Sequence, residues 1–85
     1  MMADYEYNFA ILLQQKLKTK IHGGVYITVD EDELIVKIIR DDAIDFKWSF
    51  RNFANRLRNG WTTEYAAYEF VNAYKECLMK RYFVH

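Results

Sequence analysis

The chain has 85 residues with twelve basic and twelve acidic side chains, so its formal net charge is zero. This length suits one domain, and a hydrophobic content of 52% excludes the composition that is typical of disordered chains. A neutral chain has no overall field that would draw it to nucleic acid or to an anionic membrane, so such binding would need a local patch.

An amphipathic helix is the first predicted element. From Tyr5 to about Lys20, apolar residues recur at three- and four-residue steps and form one helical stripe. The members of this stripe are Tyr5, Phe9, Leu12, Leu13, Leu17 and Ile21. We expect Asp4 to cap the helix and the pair Gly23 and Gly24 to end it.

Three strand-like segments follow, rich in β-branched and aromatic residues and separated by acidic turns. They run from Val25 to Asp30, from Leu34 to Arg40 and from Ala43 to Phe50, and the short turns between them predict an antiparallel meander. The acidic residues at the two turns are Asp30, Glu31, Asp32, Glu33, Asp41 and Asp42. Solvated acids are common at hairpin turns, where they keep the ends of a sheet soluble.

Strict alternation along the strands sorts their side chains onto two faces. In the third strand, the residues expected to face the helices are Ile44, Phe46, Trp48 and Phe50. The residues expected on the opposite, outer face are Tyr26, Thr28, Ile35, Lys37, Ile39, Asp45, Lys47 and Ser49. Ile35 and Ile39 stand out there, because small monomers seldom expose an apolar patch that has no use.

Two helices are predicted after the sheet. The first carries Phe53 and Leu57 on one side, with Ser49 as its N-cap and Asn59 and Gly60 at its end. The second begins at Thr62 or Thr63 and extends to about Arg81. Its apolar side is formed by Ala67, Phe70, Val71, Tyr74, Leu78 and Tyr82. The result is an α+β domain over 1–85, of order α-β-β-β-α-α, with the helices on one face of a three-stranded sheet.

No recognisable chemistry is encoded in the sequence. His22, His85 and Cys77 lack the close paired spacings of zinc ligands, so we predict no metal site and no cofactor. A nucleophile elbow, a glycine-rich phosphate loop and a two-histidine helix motif are all missing, and we expect no enzymatic activity. The single cysteine suits a reducing compartment, and neither a secretory signal nor a membrane span is indicated, so we expect a cytoplasmic protein.

Basic residues around the short helix are one candidate for binding. They are Lys47, Arg51, Arg56 and Arg58. The element order is similar to that of double-stranded-RNA-binding domains, although the lysine cluster that such domains carry at the start of the helix after the sheet is missing. Because of these basic residues, we keep a nucleic-acid-binding regulator as the alternative function.

The outer face of the sheet is the preferred candidate. Its predicted interaction residues are Tyr26, Ile35, Lys37, Ile39, Asp45 and Lys47. A charged rim around an apolar centre is typical of protein interfaces. We expect a protein partner or self-association through this face, and a two-fold dimer could pair Lys47 with Asp45 of its mate.

A stretch near the last two helices carries a family resemblance. Its residues Asn59, Gly60, Trp61, Glu64 and Tyr65 form the pattern NGWxxEY. This stretch, and the element order, resemble a small prophage-encoded anti-CRISPR family that inhibits a type II RNA-guided nuclease by imitating DNA with acidic side chains. The resemblance implies a bacterial mobile-element origin and a role in blocking a host protein, possible targets including a CRISPR nuclease. Unlike that family, this chain is not densely acidic after Tyr65.

Overall fold

The predicted order of elements is confirmed in a computed structural model, which describes residues 4–83 except for the side chains of residues 82 and 83. The elements are α1 (Asp4–Lys20), β1 (Gly24–Asp30), β2 (Glu33–Arg40), β3 (Ala43–Phe50), α2 (Phe53–Arg58) and α3 (Thr63–Phe83). The fold is therefore α+β with the order α-β-β-β-α-α. Two residues of the sequence predictions, the Tyr82 side chain and His85, lie outside the described part.

The three strands form one antiparallel sheet in the order β1-β2-β3. Both connections are two-residue turns, at Glu31 and Asp32 and at Asp41 and Asp42, and they lie in the two acidic segments predicted as turns. The first is one residue shorter than predicted, because β2 begins at Glu33. Asp41 and Asp42 have φ angles of 52° and 62°, the left-handed backbone that a type I′ hairpin requires. Aspartate tolerates this region better than most side chains, because its short polar group can hydrogen-bond locally.

The helices pack on one face of the sheet, where a single cluster of buried side chains forms the core. Its members are Phe9, Leu13, Leu17, Ile21, Val25, Leu34, Val36, Ile38, Phe50, Phe53, Ala66, Ala67, Phe70 and Tyr74. The buried stripe of α1 is narrower than predicted, because Tyr5 and Leu12 are both 54% exposed. One layer of helices thus covers one side of the sheet.

Strand β3 departs from strict alternation at one point. Ile38 pairs with Phe46, but the next residue, Ile39, pairs with Ile44, so Asp45 is the extra residue of a β-bulge. Ile44 consequently shares a face with Ile39 and is 57% exposed. The prediction that Ile44 faces the helices was wrong.

Helix α2 is capped from a distant part of the chain. The prediction that Ser49 caps this helix was wrong, because Ser49 lies within β3 and its hydroxyl donates to Glu33 Oε2 at 3.0 Å. Instead, Asp32 accepts the Phe53 N–H with its backbone carbonyl at 2.9 Å and the Ala54 N–H with its carboxylate at 3.1 Å. The first acidic turn therefore also holds α2 against the end of the sheet.

Trp61, at the turn between α2 and α3, is partly buried and packs against the core. Its ring stacks on Phe9 with centroids 4.9 Å apart and makes edge contacts with Phe50 and Phe53 at 5.0 and 6.2 Å. Gly60 precedes it with a φ of 86°, a left-handed angle that glycine adopts without steric cost. This tight turn directs the indole against the core.

Trp61→Ala should lower the free energy of unfolding by about 3 kcal/mol or more, because it leaves a cavity among three phenylalanine rings. Trp61→Phe is the matched control. It retains a ring against Phe9 and removes a buried indole N–H that has no acceptor among the described residues, so its loss should be about 1 kcal/mol or less. Urea denaturation measures both variants, and a Trp61→Ala protein as stable as the wild type would contradict this assignment.

Candidate functional site

The side of the sheet that faces away from the helices, here called the outer face, has a regular surface. Residues in register across the three strands form three rows, each with one position from β1, one from β2 and one from β3. The rows are Gly24 with Ile39 and Ile44; Tyr26 with Lys37 and Lys47; and Thr28 with Ile35 and Ser49. Lys37 occupies the central position.

Apolar side chains dominate around this centre. Tyr26 and Ile44 are 56% and 57% exposed, while Ile35 and Ile39 are partly buried by their neighbours in the sheet. The predicted placement of Tyr26, Ile35 and Ile39 on one face is confirmed, and Ile44 is the member that strict alternation missed. Among residues 4–83, no element packs over this face.

Two lysines face each other across the middle row. Lys37 and Lys47 are register partners on β2 and β3, which brings their Cβ atoms to about 5 Å. No carboxylate oxygen of the described residues lies within 4.0 Å of either ammonium group. Like charges in directly opposed positions destabilise a sheet. The outer face therefore carries two unpaired positive charges, Lys37 at its centre and Lys47 on the edge strand, next to apolar side chains.

Asp45 was predicted as an interaction residue of the outer face, but its side chain lies on the helix side of the sheet. The bulge turns its carboxylate toward α3, where Arg81 Nη1 donates to Oδ1 and the Tyr74 hydroxyl donates to Oδ2, both at 2.9 Å. Arg40 Nε lies 3.3 Å from Oδ2. The hydrogen bonds from Arg81 and Tyr74 lower the pKa of Asp45 below its usual value. The predicted position of Asp45 on the outer face was therefore wrong.

The residues predicted as a basic patch do not form one surface. They are Lys47, Arg51, Arg56 and Arg58. Lys47 lies on the outer face, whereas the Arg56 guanidinium lies 5.1 Å from the centroid of the Trp61 ring, on the helix side of the sheet. Arg56 also pairs with Glu69 at 3.2 Å. Its charge is thus engaged within the fold and is not aligned with that of Lys47.

The family-like stretch mainly builds the connection into α3. Its residues are Asn59, Gly60, Trp61, Glu64 and Tyr65. The Asn59 side chain donates to the Asn55 carbonyl at 3.0 Å, and Glu64 forms an ion pair with Lys16 of α1 at 2.8 Å. Tyr65 is the exception, because 59% of it is exposed. Most of the stretch therefore has a structural role.

A groove of about 430 Å³ lies between β3 and α3. Phe46 and Trp48 line one side, and Cys77 and Lys80 line the other. Trp48 is 39% exposed, because α3 covers only part of this strand. This groove is a second apolar surface, and the sequence pattern did not reveal it because both aromatic residues belong to the predicted core face.

Within residues 4–83, no three side chains of His, Cys, Asp or Glu come together in a way that could hold a metal ion. In the same range, no helix combines the length and the apolar character needed to cross a membrane. No protein-family model, curated protein sequence or solved structure matches this chain.

The environment of Asp45 predicts a pH dependence of stability. Because the pKa of Asp45 in the fold lies below its ordinary value of 3.8, the stabilisation from its ionised form is present above about pH 4 and is lost as the pH falls further. Asp45→Asn should therefore be less stable than the wild type near neutral pH, and the difference should shrink as the solution is acidified.

Urea denaturation of both proteins across the acidic range measures this difference. Asp42→Asn, in the exposed second turn, is the matched control for loss of a carboxylate. A difference between Asp45→Asn and the wild type that stays constant with pH would contradict the role assigned to the ionised carboxylate.

Proposed function

We propose that this chain is a non-enzymatic protein-interaction module that binds a protein partner through the outer face of its sheet. The observation that carries the proposal is the uncovered apolar surface formed by Tyr26, Ile35, Ile39 and Ile44. Tyrosine is enriched among the residues that contribute most to protein interfaces, and Tyr26 is the exposed aromatic residue of this face.

The apolar area on this face is sufficient to contribute to specific binding. A fully covered isoleucine or tyrosine side chain contributes about 1.5–3 kcal/mol, and the face offers four such residues that are partly or largely exposed. Association must offset lost rotational and translational freedom, so only part of this energy would appear as affinity. The remaining surplus supports a specific but not extreme affinity.

One specific form of this proposal is inhibition of a type II RNA-guided nuclease by a protein of bacterial mobile-element origin. The support is the NGWxxEY stretch and the element order, both of which resemble the anti-CRISPR family. Because the chain is neutral, we do not include direct DNA mimicry in the proposal.

A DNA-cleavage assay with purified type II nucleases and their guide RNAs tests this form. The proposal predicts that the chain slows cleavage by at least one nuclease and that Ile44→Asp relieves the inhibition, because this variant places a charge in the apolar surface. Uninhibited cleavage by every nuclease in a panel that covers the type II subtypes would contradict it.

The broader proposal predicts that selected binders use the outer face. Peptides selected from a random displayed library against the folded chain should lose about tenfold or more in affinity for Tyr26→Ser, which removes an exposed interface aromatic. Tyr68→Ser is the matched control, because Tyr68 lies on α3 and is 65% exposed, against 56% for Tyr26. It should bind these peptides as the wild type does.

Amide chemical shifts of the ¹⁵N-labelled chain locate each binding site directly. Shifts concentrated on the outer face of β1, β2 and β3 would support the proposal. Binders that act only at the groove between β3 and α3, or a selection that yields no binder, would contradict it.

A further inference from the structure

We infer that the partner presents a carboxylate surrounded by aliphatic side chains, and that the ammonium groups of Lys37 and Lys47 bind this carboxylate together. The inference rests on the proposed function, because it specifies the chemistry of the partner at the outer face. It follows from the position of the two lysines, their lack of partners and the arrangement of charge around them.

Lys37 lies where any partner on this face must cover it. It is the central residue of the three rows, between Ile35 and Ile39 on its own strand, with Tyr26 and Lys47 opposite it on the two neighbouring strands. It is already partly buried by these neighbours. A partner that contacts the isoleucines on either side therefore removes water from the Lys37 ammonium group.

An uncompensated ammonium group resists such burial. Taking an unpaired charge out of water costs several kcal/mol. The repulsion between the ammonium groups of Lys37 and Lys47 adds to this cost, because it becomes stronger when water is excluded. A purely apolar partner would meet this penalty in full. A carboxylate placed between the two lysines offsets the desolvation cost of both ammonium groups, because one anion interacts with both cations.

A second copy of the chain that docks with its two-fold axis through the central row does not supply this anion. A two-fold axis through the central row would bring Lys37 and Lys47 against the same residues of the mate, so that four positive charges would meet. The nearest carboxylate in sequence, Asp45, is turned toward α3 and held by Arg81 and Tyr74. Face-to-face self-association about this axis is therefore disfavoured by charge.

Nucleic acid is also a poor match for the outer face. An extended phosphate chain gains affinity from each cation that it meets, and this face offers two. The turns at the ends of the sheet add repulsion through Glu31 and Asp32 on one side and Asp41 and Asp42 on the other. Bases stack on aromatic rings, and Tyr26 is the one aromatic residue among the three rows of this face. The other large apolar residues of the rows are isoleucines.

The test is a double-mutant cycle with displayed peptides as the probe. Peptides are selected on the wild-type chain and retained if they bind the Tyr26→Ser variant with lower affinity. The inference predicts that these peptides contain Asp or Glu flanked by aliphatic residues. Lys37→Met, which keeps the apolar stem, should weaken an acidic peptide about tenfold or more, and so should replacing the peptide carboxylate by its amide.

The two changes should be strongly non-additive, because each removes the same ion pair. Lys18→Met, on the exposed surface of α1, is the matched control and should leave affinity unchanged. Lys47→Glu should also weaken acidic peptides, yet its melting temperature should be no lower than that of the wild type, because it replaces a repulsive cross-strand pair by an attractive one. A merely structural role for the lysines would not produce weaker binding without lower stability.

The outcomes separate this inference from the proposed function. Peptides that depend on Tyr26 but lack acidic residues, or whose affinity is unaffected by Lys37→Met, would overturn the inference and leave the proposed function in place. Peptides that never depend on Tyr26 would overturn both. Submicromolar binding of a single-stranded oligonucleotide that requires Lys37 and Lys47, or a dimer in sedimentation that Ile44→Asp dissociates, would also overturn the inference.

Discussion

The extra residue in β3 determines which side chains the helices bury and which remain in water. At the bulge, Asp45 turns toward α3 and becomes the acceptor for Tyr74 and Arg81. Ile44 is displaced to the outer face beside Ile39. One local irregularity therefore both connects the sheet to α3 and completes an apolar surface on the opposite side.

The need for this bulge was readable from the sequence, although simple alternation does not show it. The core-facing residues of β2 and β3 have even numbers, such as Val36 and Trp48. Because paired residues lie on the same face of a sheet, the numbers of two partners must sum to an even value. The two-residue turn pairs Arg40 with Ala43, which gives an odd sum. One inserted residue is the simplest way to satisfy both. In the first hairpin, Asp30 pairs with Glu33 and the parities already agree, so no bulge is needed.

Local patterns predicted the strands, the turns and the outward direction of Ile35 and Ile39, because pleat alternation and hairpin chemistry act between near neighbours. They did not predict that Asp32 caps α2, 22 residues further on at Ala54, or that Asp45 binds Tyr74, 29 residues away. Such contacts depend on how the elements pack. The adjacency of Lys37 and Lys47 was missed for a different reason: it depends on the register that the bulge creates, and strict alternation contains no bulge.

The central claim is that the bulge places Ile44 on an outer face that stays open to solvent. The most direct test is methyl NMR of isoleucine-labelled protein in the presence of a soluble paramagnetic agent. The account predicts strong attenuation of the Ile44 signal and none for Ile38, which is fully buried in the core. An Ile44 methyl group as well protected as that of Ile38 would contradict the account, because it would mean that the strand lacks the bulge or that the outer face is already covered.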